Sequence, residues 1–244
     1  MTRAGRVARI VLAPIIAYAA LLVATSLALV LIEALRGDLS AFHPNLVLSV
    51  SGLGRLFRQV SPTGVAISQI VGEGGALSAV ALWLRRQIAL REILDRRPRP
   101  ADLGLGLLGT GAILVLAGII GAILLALHAT EGSPVQQAFA RGIGSPWLLL
   151  LMALVAGFAE EATFRGYILR SFMRLSPLWL AIVLESAVFA VFHLGWGLAF
   201  GPFVAIFTIG VGLSLIALRS HIYVAMVAHA GYDALALLIA LHAH

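Results

Sequence analysis

Apolar runs about as long as a bilayer is thick dominate this sequence, and most of them end at arginine. A spanning helix needs about 20 apolar residues. Seven runs reach or approach that length: 10–32, 62–84, 104–128, 146–169, 178–194, 197–218 and 222–241. The fifth is short and the sixth follows almost at once, so an irregular junction is expected there. Water-soluble folding is excluded by the same feature. The chain is 61% hydrophobic and 11% charged, with mean hydropathy +1.02, whereas a soluble domain carries about 25% charged residues. The expected fold class is all-α: one polytopic membrane helix bundle of about seven transmembrane helices, within a range of six to eight.

All 17 basic residues are arginine, and the net charge is +6. The arginines form no single nucleic-acid patch, and no nucleic-acid partner is expected. They lie at the ends of the runs, where they orient a membrane protein. Arg3, Arg6 and Arg9 place the N-terminus inside. The segment "RRQIALREILDRRPRP", with Arg85, Arg86, Arg91, Arg96, Arg97 and Arg99, comes back inside after two crossings. Arg165, Arg170 and Arg174 follow the fourth run and Arg219 the sixth, again inside. Seven crossings then put the C-terminus outside. This reading gives an integral protein of a bacterial-type cytoplasmic membrane.

The first run, 23 residues from Ile10 to Ile32, exceeds a signal-peptide h-region and reads as a retained span. Residues 1–145 hold the first three helices. In their long connection, 33–61, Leu53, Leu56, Phe57 and Val60 share one helical face. An interfacial helix and a solvated loop both fit. Residues 146–244 hold helices four to seven. With no cysteine, disulfides, thiol nucleophiles and thiolate metal sites are absent.

Against that background the stretch "AGFAEEATFRGY" stands out. Glu160 lies 14 residues after Pro146, about 21 Å along a helix at 1.5 Å per residue. That is roughly 9 Å short of the far face of a 30 Å core, where a charge costs at least about 2.5–3.5 kcal/mol. Glu161 and Arg165 are four apart and share a face, so they can pair. Glu160 is turned about 100° away. One acid is free to be structural while its neighbour faces a cavity; the blander reading is that the helix ends here in solvent.

Two later runs add imidazoles. Glu185, Phe189 and His193 recur every four residues in the fifth run; His229 and Asp233 are one turn apart in the seventh. His229 falls about 10 Å deep, level with Glu160, while His193, counted from Pro177, falls over 10 Å from that level. A carboxylate with two imidazoles activates water in either of two ways. Glu160, His193 and His229 can hold a divalent metal, zinc for instance. Or a carboxylate acts directly as general base while imidazoles steady an oxyanion, with no cofactor. The sequence leaves both open, although the His-Glu-x-x-His zinc motif is absent. Glu73, mid-span among glycines in "IVGEGGAL", can extend the cavity or pair with an arginine. Glu185 suits a supporting place behind His193. His128 and His221, at run ends, read as interfacial.

The order and spacing of "EEATFR", "FAVFH" and "HAGYD" resemble the CPBP family of intramembrane proteases, which includes Rce1-type CaaX endopeptidases and bacterial Abi proteins. Its pattern is Glu-Glu-x-x-x-Arg, Phe-x-x-x-His and His-x-x-x-Asn. The resemblance covers about 146–235. It implies that Glu160 and His193 activate a water, that His229 and Asp233 line the oxyanion side, and that Glu161, Arg165 and Phe189 support them. It implies a peptide or protein substrate at the bilayer, with or without a lipid. Asp233 stands where the family has Asn. An Asn amide always donates a hydrogen bond; an Asp donates only when protonated. That departure supports an alternative, a weak or inactive membrane partner of Abi type. A transporter ranks third, since no repeat of the transporter kind is seen.

Overall fold

The computed structural model describes residues 2–37, 61–129, 145–193 and 200–242. Seven long helices carry the described chain: α1 (Arg3–Leu35), α2 (Pro62–Leu84), α3 (Pro100–Ala126), α4 (Pro146–Glu161), α5 (Leu178–Phe192), α6 (Phe200–Arg219) and α7 (Ile222–His242). No strand occurs among the described residues. The class is the expected polytopic helix bundle. Among the described residues, six helices are long and apolar enough to cross a membrane, and α5 is a shorter apolar helix. The proposed interfacial helix at 53–60 and the junction 194–199 lie outside the described residues.

Local sequence sets the helix starts. Proline occupies the first helical position of α2, α3 and α4, where its missing N–H costs nothing. Ser61 caps α2 by accepting from the Gly64 amide at 3.1 Å, and Thr2 caps α1 by accepting from Gly5 at 3.2 Å. α4 does not stop at Glu161. It passes into a π-helical stretch, Ala162–Leu169, and a last α turn, Arg170–Phe172. All eight residues of the π stretch are buried. π segments are rare and cluster at functional sites; this one begins directly after the paired acids.

α1 packs along α2, α7 lies against α3 and α4, α6 lies against α5, and α2 backs onto α4. Large apolar side chains point outward along the bundle, Leu31, Leu108, Leu154 and Trp179 among them. Glu73, Glu160, Glu161, Arg165, Glu185, Ser214 and His229 are buried. Greasy outside and ionic inside is the arrangement a bilayer demands, since lipid cannot satisfy a charge.

A strap closes one end of the bundle. Residues 85–99, with one helical turn at Leu90–Ile93, run beneath the end of α4. Ile88 and Ile93 plug into the core. A Cβ on Gly166 would lie 2.8 Å from Ile93 Cγ2, so only glycine leaves room for the plug. Arg170 donates to the Glu92 carbonyl at 2.7 Å and Arg174 to that of Gln87 at 2.9 Å. Arg96 grips Asp102 with two bonds of 2.6 Å, Tyr223 donates to the Arg96 carbonyl at 2.9 Å, and His221 donates to Asp95 at 2.8 Å. That last bond, ahead of the arginines nearby, holds the Asp95 carboxyl below the usual carboxylate range.

Candidate functional site

The site forms where α4 meets α7, α5, α6 and α2. Its geometry depends on one close helix approach. A Cβ on Gly157 would lie 2.8 Å from the Ala230 backbone nitrogen and 2.9 Å from the Met226 carbonyl oxygen. The glycine therefore lets the α4 and α7 backbones touch one turn before the acids, and this brings His229 to the carboxylate pair.

Glu161 is the anchor. Its Oε1 accepts from Arg165 Nη1 at 2.8 Å and from His229 Nδ1 at 2.8 Å. Arg165 then reaches across the bundle. Its Nη2 donates to the Gly210 carbonyl at 2.9 Å, its Nε to Ser214 Oγ at 3.4 Å, and the same Nε lies 3.5 Å from Glu185 Oε1. Ser214 donates to Glu185 Oε2 at 2.6 Å. The guanidinium also lies over the Phe189 ring, 4.5 Å from its centroid. Arg165 thereby ties α4, α5 and α6 together, with 1% of its side chain exposed. A planar fork with five donors suits such a task; an ammonium does not.

The bond to Glu161 fixes His229. With Nδ1–H committed there, Nε2 is aimed at Glu160 Oε2, 3.8 Å away, and Asp233 Oδ2, 3.5 Å away. This is the logic by which a carboxylate on one ring nitrogen sets the other for chemistry. Glu160 Oε2 is buried without a hydrogen-bond partner among the described residues. Glu73 of α2 is also buried, and it accepts from Gln69 Nε2 at 3.2 Å.

The structure thus brings together Glu160, Glu161, Arg165, Glu185, Phe189, His229 and Asp233. His193 bonds within its own helix. Its Nδ1 donates to the Phe189 carbonyl at 2.9 Å, and its ring meets Phe189 at 4.9 Å; the Phe189 ring in turn is 5.9 Å from His229. Among the described residues, no group of three or more His, Asp or Glu is arranged to hold a metal ion.

Several expectations need amending. Glu185 supports Arg165 through Ser214, not His193. Glu73 has Gln69 as its hydrogen-bond partner, not an arginine. Ser214 and Gly210 were not anticipated at all; their four-residue spacing in an otherwise apolar run was the available signal. His221 does lie at a helix end, but as a partner of Asp95 and 4.8 Å ring to ring from Tyr223.

Such a bundle, with an acid, guanidinium and imidazole network buried among its helices, defines a polytopic membrane protein whose interior carries acid–base groups. Residues 142–235 match the family model described as Rce1-like, type II CAAX prenyl endopeptidase. Over those residues the chain is similar to that family, and the match supports the CPBP resemblance of its motifs. The match takes in α4 to the Asp233 region of α7 and leaves α1 to α3 outside. No curated protein and no solved structure matches the chain.

Proposed function

We propose that this protein is an intramembrane endopeptidase that cleaves peptide or protein substrates at the bilayer, lipid-bearing ones included, with Glu160 as general base. The observation that carries the reading is the grip of Glu161 on His229 Nδ1 at 2.8 Å, which turns Nε2 toward Glu160. In the proposed reaction a water gives a proton to Glu160 as its oxygen attacks the peptide carbonyl. With both ring nitrogens protonated, His229 keeps Nδ1–H on Glu161 and turns Nε2–H toward the oxygen on which negative charge grows. Such a preorganised donor in a dry site is worth far more than in water. Collapse breaks the C–N bond, and the proton held by Glu160 passes to the leaving nitrogen. Water and amide become acid and amine, and the carboxylate is restored.

We route no step through a metal. We expect cleavage to survive chelation. One bound zinc, with activity lost and restored in step with it, would overturn that part. The cleavage test uses purified protein in nanodiscs and quenched peptides, one set ending in an S-prenylated cysteine plus a short tail, the other unlipidated. Glu160→Gln should lower turnover by about 10²–10⁴-fold, the range for a lost general base, and leave thermal stability near wild type. Wild-type turnover in Glu160→Gln defeats the reading.

A second reading is favoured by Asp233 itself. Its Oδ2 is 3.5 Å from His229 Nε2 and competes for the hydrogen that an oxyanion would need. On that reading the protein is a catalytically silent membrane partner. Asp233→Asn decides: a rise in turnover supports the protease with a damped site, whereas two inactive proteins support the partner. The proposed topology, N-terminus inside and C-terminus outside, is tested by reporter fusions at residues 95 and 244; finding both on one side refutes it.

A further inference from the structure

The strapped end of the bundle holds a cavity that the hydrolytic reading does not use. Its volume is about 270 Å³, near the lower end of ligand pockets, so it suits a headgroup rather than whole acyl chains. Leu169, Arg170 and Met173 line it from the end of α4, Ala217 and Leu218 from the end of α6, and Ile222 from the start of α7. Only Ser220 and His221 separate α6 from α7, which keeps those two helix ends together beside α4. Glu160, His229 and Asp233 are not among the lining residues.

No carboxylate lines the cavity, but two guanidiniums do. Arg165 has its fork committed to Glu161, Ser214 and Gly210. Arg170 differs. It is half-buried, and its Nη1 donates at 2.7 Å to a neutral partner, the Glu92 carbonyl. It makes no ion pair among the described residues. Asp95 feels its charge but gives its bond to His221. Nε and Nη2 of Arg170 therefore remain as donors, and a guanidinium fork matches phosphate oxygens. From the cavity an apolar surface continues outward, since Met173 and Leu218 are 41% and 38% exposed.

We infer that this cavity binds the headgroup of an anionic phospholipid, with the phosphate on Arg170 and the acyl chains along Met173 and Leu218. Unpaired arginine at a membrane face draws anionic lipid, and the apolar exit suits a ligand that carries chains. The carboxylate of a substrate fits less well, because none of the proposed reacting groups lines the cavity. The inference does not rest on the hydrolytic reading: Glu160→Gln should bind the lipid as wild type does.

The test uses the full chain in nanodiscs of phosphatidylcholine, with or without phosphatidylglycerol, and native mass spectrometry to count the lipid retained. Wild type should keep phosphatidylglycerol in preference to phosphatidylcholine. Arg170→Gln should weaken that retention about 10-fold or more, the effect of losing a hydrogen bond to a charged group. Arg174→Gln is the control. It removes the same charge and a like bond to the strap, 2.9 Å to the Gln87 carbonyl, but from outside the cavity, and it should retain the lipid. Ala217→Phe fills the cavity and keeps every arginine, and retention should fall again. If either cavity variant does not fold, the other carries the comparison.

Equal losses in Arg170→Gln and Arg174→Gln would mean diffuse surface charge and overturn the inference. So would full retention in Ala217→Phe, or a wild type with no preference for the anionic lipid. Two further arms need wild type alone. Displacement of the lipid by inorganic phosphate at equal concentration makes this a simple ion site. Displacement by an unlipidated peptide with a free C-terminal carboxylate makes it part of the substrate path. Either result removes the lipid, and neither touches the role of Glu160.

Discussion

Two ion-pair clusters occupy this molecule, and they obey different rules. One is the interior network of Glu161, Arg165, Glu185 and His229. The other is the rim cluster of Asp95, Arg96, Asp102 and His221 on the strap. Both contain charged hydrogen bonds between 2.6 and 2.8 Å. Length therefore does not distinguish them; surroundings do. The Glu161 and Arg165 side chains are 0% and 1% exposed, whereas that of Asp95 is 59% exposed. In the interior neither water nor lipid can replace a missing partner, so each group holds the others in place. At the rim, water replaces the partner of exposed Asp95 at little cost, and Asp102, though buried, has a second donor in the Arg99 amide.

The largest effect should come from breaking the interior network at its hub. Arg165→Ala leaves Glu161 and Glu185 as uncompensated buried acids, a loss of about 3–5 kcal/mol. That is a large part of a typical folding free energy of about 5–15 kcal/mol. We expect little folded protein on size-exclusion chromatography. Arg165→Lys should be intermediate, because a point charge cannot serve Glu161, Gly210 and Ser214 together. Wild-type yield and melting temperature for Arg165→Ala would show that the network is dispensable.

Next comes the anchor. Glu161→Gln keeps an oxygen to accept from one donor but removes the charge shared by Arg165 and His229. Stability and turnover should fall together, since the same Oε1 holds the scaffold and the imidazole. Glu160→Gln should move turnover with little effect on melting. If the adjacent acids behave alike in both measurements, the division of labour between them is wrong.

How far the sequence could go is clear from these same residues. The Glu161–Arg165 pair was legible because a four-residue spacing on a helix is a local fact. The helices were legible because a bilayer fixes a minimum apolar length. Neighbourhood between helices was not, since apolar periodicity says which face is buried and never against which partner. So Ser214 could not be placed beside Glu185, nor His221 beside Asp95, 126 positions away. The π stretch was equally hidden: "ATFRGYIL" carries no proline or glycine pair that announces a change of hydrogen-bond register. His193 shows the limit of spacing in another way. It follows Phe189 by one turn as expected, yet its Nδ1 goes to that residue's own carbonyl.

At the rim, Arg96→Ala should cost less than any interior change. Arg96 makes its two bonds to Asp102 with a quarter of its side chain exposed. Asp102 also keeps a bond of 2.7 Å from the Arg99 backbone amide. The acid is thus not orphaned when the guanidinium goes. We expect a folded protein with a modest drop in melting temperature and easier proteolysis of the strap at 85–99. A loss as deep as that of Arg165→Ala would erase the contrast between the two clusters.

The smallest effect belongs to Asp95, and its sign depends on pH. The bond from His221 holds its carboxyl below the ordinary range in the folded protein. The unfolded chain therefore binds more protons than the folded one through the acid range, and stability rises with pH there. The contribution is complete above the unfolded aspartate value of about 3.9, and it is lost as pH falls through the lower folded value. Because Asp95 is exposed, salt screens the bond further. Asp95→Asn should thus melt slightly below wild type near neutral pH, and the gap should close both on acidification below about pH 4 and in high salt. A gap that instead widens in acid would mean that the strap is held by something other than this ionised carboxylate, and the rim would then follow the interior's rules.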